Sequence, residues 1–374
     1  MLDNNFEDTR PYNDNEIPEA IKRVSESIYF YNVVKHIFPD ADMRLFIDDF
    51  RKITTVEQFQ VQVMDNVIRK IMAQTANGFS YSGLEQLTNE KSYMFLSNHR
   101  DILLDSAILQ VILHECGLKT SEITFGSNLM ASQFIIDIGR MNKMFKIVRG
   151  GTMREIFNNS LKVSQYMRYA ITQKHQSTWI AQRNGRTKNG FDSTEVAVLK
   201  MFSMSSSAEF VSNLLELNIT PIAISYEYEP CDFLKTRELY ISQKKQYVKE
   251  EGEDIASIMH GVNQYKGHIH LSVCESVTEE ELKKCDEFNH NEKYKSLAEI
   301  IDSKIYKNYK LYKTNYIAHD LLYDEKKYTS AYSDEEKEAF IQYMNSGLKD
   351  IEGEIEELRK IFLQIYATPI NNCM

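Results

Sequence analysis

The stretch Ser97-Asn98-His99-Arg100-Asp101-Ile102-Leu103-Leu104-Asp105 holds the residue types that a proton-transfer centre needs. Before it, Tyr93-Met94-Phe95-Leu96 reads as a buried strand. After it, the apolar run from Leu103 to Leu113 reads as a helix. A histidine delivered to the end of a buried strand, with a carboxylate a turn or two later, suits a general base. The acid holds the far ring nitrogen and favours the tautomer that accepts a proton. The plainer reading is a surface histidine in a polar turn.

The elements that must carry these residues can be read from periodicity. Residues 88–275 alternate between the two types. Strands are expected at 93–96, 123–126, 144–148, 178–182, 219–226 and 268–273, and helices at 101–113, 153–172, 194–204 and 208–215. This alternation predicts an α/β sandwich, with ligands beyond the strand ends, where His99 and the basic loops fall. Residues 1–15 read as a polar, poorly ordered lead. Residues 16–87 read as a helical region broken at Pro39, and 276–374 as a helical C-terminal addition. In that last part Phe340, Met344, Leu348, Ile351, Ile355, Leu358, Phe362 and Ile365 follow helical spacing and predict one long amphipathic helix packed on the domain. Tyr306, Tyr309, Tyr312 and Tyr316 share such spacing and predict a helix with packed rings. Trp179 is expected in the core, and Asp192, Ser193 and Thr194 as the cap of the next helix.

Composition narrows the class. At 374 residues and 43% hydrophobic content there is ample material for a core, and no run of 18 or more apolar residues predicts a membrane span. The acidic start lacks a signal-peptide pattern, and the five cysteines show no CxxC pairing. These features predict a cytoplasmic protein, soluble or peripheral, with reduced thiols. The net charge of −10 hides an asymmetry. From Arg140 to Gly190 eleven basic residues face only Glu155, so this segment is +10 and the remainder −20. Such an island suits an anion: a phosphate, a nucleotide-bearing thioester or an acidic lipid headgroup. No nucleic-acid-binding motif accompanies it, and no nucleic-acid partner is expected.

Four segments line up in order: Ser97-Asn98-His99-Arg100-Asp101 through Asp105; the strand Met144-Phe145-Lys146-Ile147-Val148 ending in Arg149-Gly150; the strand from Trp179 ending in Gln182-Arg183-Asn184-Gly185-Arg186-Thr187-Lys188; and the apolar strand Ile219-Thr220-Pro221-Ile222-Ala223-Ile224-Ser225-Tyr226. In order and content they resemble the glycerol-3-phosphate and 1-acylglycerol-3-phosphate acyltransferase family, over about residues 88–230. The resemblance implies an acyltransferase-type αβ sandwich. It also implies transfer of a fatty acyl group from a coenzyme A or acyl-carrier-protein thioester to the hydroxyl of glycerol-3-phosphate, a lysophospholipid or a related acceptor, at the cytoplasmic membrane face. His99 would be the base and Asp105 its partner, with Asp101 the competitor. Asn98, Arg100, Lys146, Arg149, Arg183, Asn184, Gly185, Arg186 and Lys188 would line the substrate site. No metal and no cofactor beyond the thioester co-substrate are expected.

This chain departs from the family twice: its spacing is His99-x5-Asp105, where the family has x4, and Asn184 stands where the family has glutamate. A catalytically degenerate relative that binds acyl groups or lipids is therefore the alternative. A metallophosphoesterase is a more distant one, echoed by Asn98-His99 and Gly267-His268-Ile269-His270 but lacking that class's early Asp-x-His and Gly-Asp segments.

Overall fold

The computed structural model describes residues 6–250 and 252–373. Its centre is a seven-stranded sheet: β1 (Ala76–Ser82), β2 (Met94–Ser97), β3 (Glu122–Gly126), β4 (Met144–Ile147), β5 (Thr178–Ala181), β6 (Ile219–Tyr226) and β7 (Gly267–Val273). The spatial order is β1-β7-β6-β2-β5-β3-β4, and every neighbouring pair is parallel except β6 with β7. Strands β2 to β6 therefore share one direction and finish at one edge of the sheet. β1 and β7 run the other way.

Both faces of the sheet are covered. Along β2, Met94 and Leu96 enter one apolar cluster and Phe95 enters the other, as alternate residues must. This two-sided burial is why the central strands are near-continuous apolar runs, a pattern typical of parallel sheets. The Met153–Thr172 and Glu292–Asn308 helices pack on the first face, and the Asp65–Thr75 and Leu104–Glu115 helices on the second. The N-terminal helices have their own apolar cluster around Ile17, Phe30, Phe50 and Phe59. The C-terminal helices have one around Phe340, Leu358, Phe362 and Tyr366.

Several expectations are corrected. Phe6, at 7% exposure, packs against Tyr166 and Tyr169, and Thr9 O accepts the Lys146 amide, so residues 6–15 are docked on β4. Residues 1–5 of the expected lead lie outside the described residues. The region read as wholly helical contains β1, an edge strand whose Phe79 and Tyr81 alternate with serines. The expected single C-terminal helix is two, Asp334–Leu348 and Ile355–Cys373. The chain turns back between them, with the Glu354 amide donating to the Tyr240 hydroxyl. The tyrosine run also spans a break: one helix ends at Asn308 and the next starts at Lys313, leaving Tyr309 and Tyr312 in the connection. Among the described residues no helix is long and apolar enough to cross a membrane.

Candidate active site

β2 ends at Ser97 and the Leu104–Glu115 helix begins seven residues later, so His99 to Leu103 form the turn above the sheet edge. Asp101 caps the helix start: its Oδ1 accepts the amides of Leu103 and Leu104 at 2.9 and 2.8 Å. Asp105, in the first helical turn, points back into the strand–helix turn. Its Oδ2 accepts His99 Nδ1 at 2.9 Å and the amides of Arg100 and Asp101 at 2.6 and 3.0 Å. Its Oδ1 accepts the Tyr226 hydroxyl at 2.7 Å. Both oxygens are thus taken by donors, so the histidine nitrogen facing them carries a proton. Nε2 is left as the acceptor, directed away from the acid. Asp105 and not Asp101 therefore contacts His99. Burial and the neighbouring Asp105 push the Tyr226 phenol well above its usual range, which keeps it a donor.

His99 opens onto a cleft of about 140 Å³ lined also by Leu103, Ser106, Phe125, Arg149, Trp179, Gly185 and Arg186. Trp179 is 3% exposed, edge-on to His99 at 5.7 Å between ring centroids, and its indole N–H has no hydrogen-bond partner among the described residues. The far wall comes from the segment of Lys249, Asp254 and Ile258, between β6 and β7, where periodicity predicts no element. Lys249 and Asp254 form an ion pair at 2.5 Å, and Asn128 donates to Asp254 at 2.8 Å, tying that segment to the loop after β3. Ile258, in the Glu253–Asn263 helix, completes the wall.

Other candidate residues lie elsewhere. Asn98 is fully buried and bonded to Asp192 and to both backbone groups of Ile224, so both its amide protons are used within the protein. Arg100 is also fully buried. It pairs with Asp192 at 2.6 Å and Glu229 at 3.1 Å and sits over the Tyr309 ring. Lys235, 2% exposed, completes this cluster by donating to Glu229 and to Arg100 O. Thr187 donates to Asp192, and its amide donates to His99 O at 2.7 Å. Two cations and two carboxylates thus bolt the His99 turn to the loop after β5 and to the Asp232–Lys244 helix. Asn98 and Arg100 position the site without lining the cleft. Lys146, Arg183 and the exposed Asn184 do not line it either, and Lys188 is paired with Glu238.

Four of the eleven cations of the basic island are neutralised. Lys162, Arg168, Lys174 and Lys188 have carboxylate partners, while Arg140 and Lys143 bond neutral acceptors. Lys146, Arg149, Arg154, Arg183 and Arg186 form no ion pair among the described residues, and two of these, Arg149 and Arg186, face the cleft. His268 and His270, the other histidines of interest, contact Glu227 and serines. Among the described residues no group of side chains is arranged to hold a metal. A larger hollow of about 430 Å³ lies between the N-terminal helices and the Leu104–Glu115 helix. Its wall includes Ala107, Gln110, Val111 and His114, which continue the helix stripe that Leu103 and Ser106 present to the cleft.

Sequence supplied part of this. The dyad was visible as a spacing, whereas Asp192, Ser193 and Thr194 do not cap the next helix, which starts at Val196 after Glu195, and Asp192 instead bonds Arg100, Asn98 and Thr187. Tyr226 carried a weak signal, a polar aromatic at the end of a buried strand. Glu229 and Lys235 carried none, because a charged residue in an unassigned segment reads as solvated surface.

No protein-family model matches the chain, and no curated protein matches it by sequence. Among solved structures the chain is similar to the 1-acyl-sn-glycerophosphate (LPA) acyltransferase PlsC from Thermotoga maritima, with 10% sequence identity and a TM-score of 0.41. That superposition covers 77% of this chain and 91% of that one. At this level of similarity the functional reading stands on the geometry of the site alone.

Proposed function

We propose that the protein is an acyltransferase that moves a fatty acyl group from a thioester, acyl-coenzyme A or acyl carrier protein, to the hydroxyl of glycerol-3-phosphate, a lysophospholipid or a related acceptor. The observation that carries this reading is the His99–Asp105 dyad opening on a cleft shared with Arg149 and Arg186. In the proposed reaction His99 Nε2 takes the acceptor hydroxyl proton as that oxygen attacks the thioester carbonyl carbon. The C–O bond forms, the tetrahedral intermediate collapses, and the C–S bond breaks. The departing thiolate takes the proton from the imidazolium. Asp105 holds the ring and stabilises its charge while the proton is on it. Arg149 and Arg186 hold the phosphate of the acceptor, a task for unpaired guanidinium groups with a fixed donor fork.

The cleft alone is below the roughly 300–1,000 Å³ typical of ligand pockets. The hollow further along the same helix stripe offers an acyl chain the remaining space. The serine-hydrolase logic applies with one change: the nucleophile is the substrate's own hydroxyl, so the protein needs no serine or cysteine at the dyad. The test is product identification by mass spectrometry after incubation with palmitoyl-coenzyme A or a palmitoyl carrier protein, with glycerol-3-phosphate and lysophosphatidate as acceptors. An acylated product supports the reading. Intact thioester with every pair would leave the dyad without the assigned role.

A further inference from the structure

Between β4 and the helix that follows, the chain leaves the body of the protein. Residues 148–158 are all exposed, including the first turns of the Met153–Thr172 helix, which packs against the sheet only from Val163 onward. Two successive glycines, Gly150 and Gly151, take left-handed φ values of 78° and 106° and make the turn. The projection carries Val148, Met153, Ile156 and Phe157, exposed by 40, 89, 47 and 57%. Met153, Ile156 and Phe157 are spaced i, i+3, i+4 and so share one helix face. Arg149 and Arg154 stand among them without ion pairs to any described residue. The one acid, Glu155, is spent on the capping box with Thr152. In a chain of net charge −10 this is a local patch that is both cationic and apolar.

We infer that residues 148–157 form a finger that docks on an anionic lipid bilayer. Large apolar side chains left about half or more exposed on a helix tip gain by entering the acyl boundary, and arginines without an ion pair gain at the level of negative headgroups. Arg149 belongs both to the finger and to the His99 cleft, so docking would bring the cleft mouth to headgroup depth. This deepens the proposed acyl transfer by giving it a lipid surface, yet the docking itself requires no turnover.

The experiment is vesicle co-sedimentation of the full chain. One set of vesicles is phosphatidylcholine alone; the other has equal parts phosphatidylcholine and phosphatidylglycerol. Wild type should bind the mixed vesicles more tightly, and added salt should weaken that preference. Met153→Glu with Phe157→Glu should lower binding at least tenfold. The same change should leave the fold intact, because both residues are exposed and neither belongs to an apolar cluster of the core. His99→Ala should bind as wild type does, so failure of the chemistry and failure of docking are read separately. Ile28 and Leu45, exposed by 67 and 62% on the N-terminal helices, are the rival apolar site. Their double change to glutamate should have no effect. Phe157→Trp, seen over the one native tryptophan, should blue-shift with mixed vesicles only.

The inference is overturned if wild type ignores mixed vesicles, if the Ile28 and Leu45 changes abolish binding while the finger changes do not, or if Phe157→Trp emission is unmoved. Finger changes that halve the molecular mass in solution without altering vesicle binding would assign the patch to a second copy of the chain, and would equally overturn it.

Discussion

Replacing Asp105 by asparagine separates the electrostatic role of the acid from its structural one. The carboxylate accepts three donors on Oδ2 and one on Oδ1. An asparagine side chain can place its oxygen toward the three N–H groups and its NH₂ toward the Tyr226 oxygen, which is able to accept. His99 then keeps its tautomer and the fold survives, at a cost of about 1–3 kcal/mol for weaker bonds to a neutral acceptor. What is lost is the negative charge facing the imidazolium that forms during reaction. In hydrolase triads the same kind of change costs about 10⁴ in kcat. There the asparagine also disturbs the tautomer; here two backbone amides pin the oxygen, so a loss of about 10³ is expected, roughly 4 kcal/mol of barrier. The assay is acceptor-dependent thiol release, with KM for acceptor and donor measured in parallel. The loss should fall on kcat and leave both KM values within about threefold. Asp101→Asn, whose Oδ1 accepts the helix-start amides and not His99, should keep the rate within about tenfold at a stability cost of about 1 kcal/mol. Full activity of Asp105→Asn, or a larger rate loss from Asp101→Asn, would refute the dyad assignment.

Arg100→Met should destabilise the protein by about 3–5 kcal/mol in urea unfolding, because Glu229 would keep Lys235 while the buried Asp192 would lose its cation; a change under about 1 kcal/mol would contradict the bolt described above. Burial raises the Asp232 carboxyl from 3.8 to about 6, despite hydrogen bonds from Tyr366 and Tyr343. A carboxyl with a raised folded-state pKa binds its proton more tightly when folded. Its contribution is therefore full below pH 3.8 and lost as pH rises toward about 6. Asp232→Asn should flatten the fall in unfolding free energy over that window by about 2–3 kcal/mol, measured by denaturant unfolding at several pH values; an unchanged pH profile would contradict it. Ala107→Trp fills the hollow along the helix stripe and should lower kcat/KM for palmitoyl donors at least tenfold relative to butyryl donors, while equal loss for both chain lengths would remove the hollow from acyl binding.

The pattern of what could be read from the sequence has a physical basis. Elements buried on both sides, such as β2 and β6, announce themselves as continuous apolar runs, so the parallel centre of the sheet and its α/β class were legible. β1 was not, since an edge strand needs only one face covered and its serines and glycine match a loop equally well. The His99–Asp105 contact is local: six residues of chain place both groups on one strand–helix turn, so spacing was informative. The roles of Asn98 and Arg100 depend on partners about ninety to one hundred and thirty residues away, Asp192, Ile224 and Glu229, which no local pattern reveals. Formal charge misled for the same reason: Arg168 and Lys174 read as free cations until folding brings Glu216 and Glu122 beside them. The tail shows a further limit. Helical spacing persists through Ile351 and Ile355 even though the chain turns there, because both flanking helices bury the same kind of stripe.

The central claim is that His99 is the base of an acyl transfer. Its most direct measurement is thiol release from palmitoyl-coenzyme A, with and without glycerol-3-phosphate or lysophosphatidate, on wild type and on a normally folded His99→Ala protein. The account predicts acceptor-dependent release in wild type and a loss of about 10³-fold or more in the variant. Acceptor-dependent release at full rate from His99→Ala would contradict it.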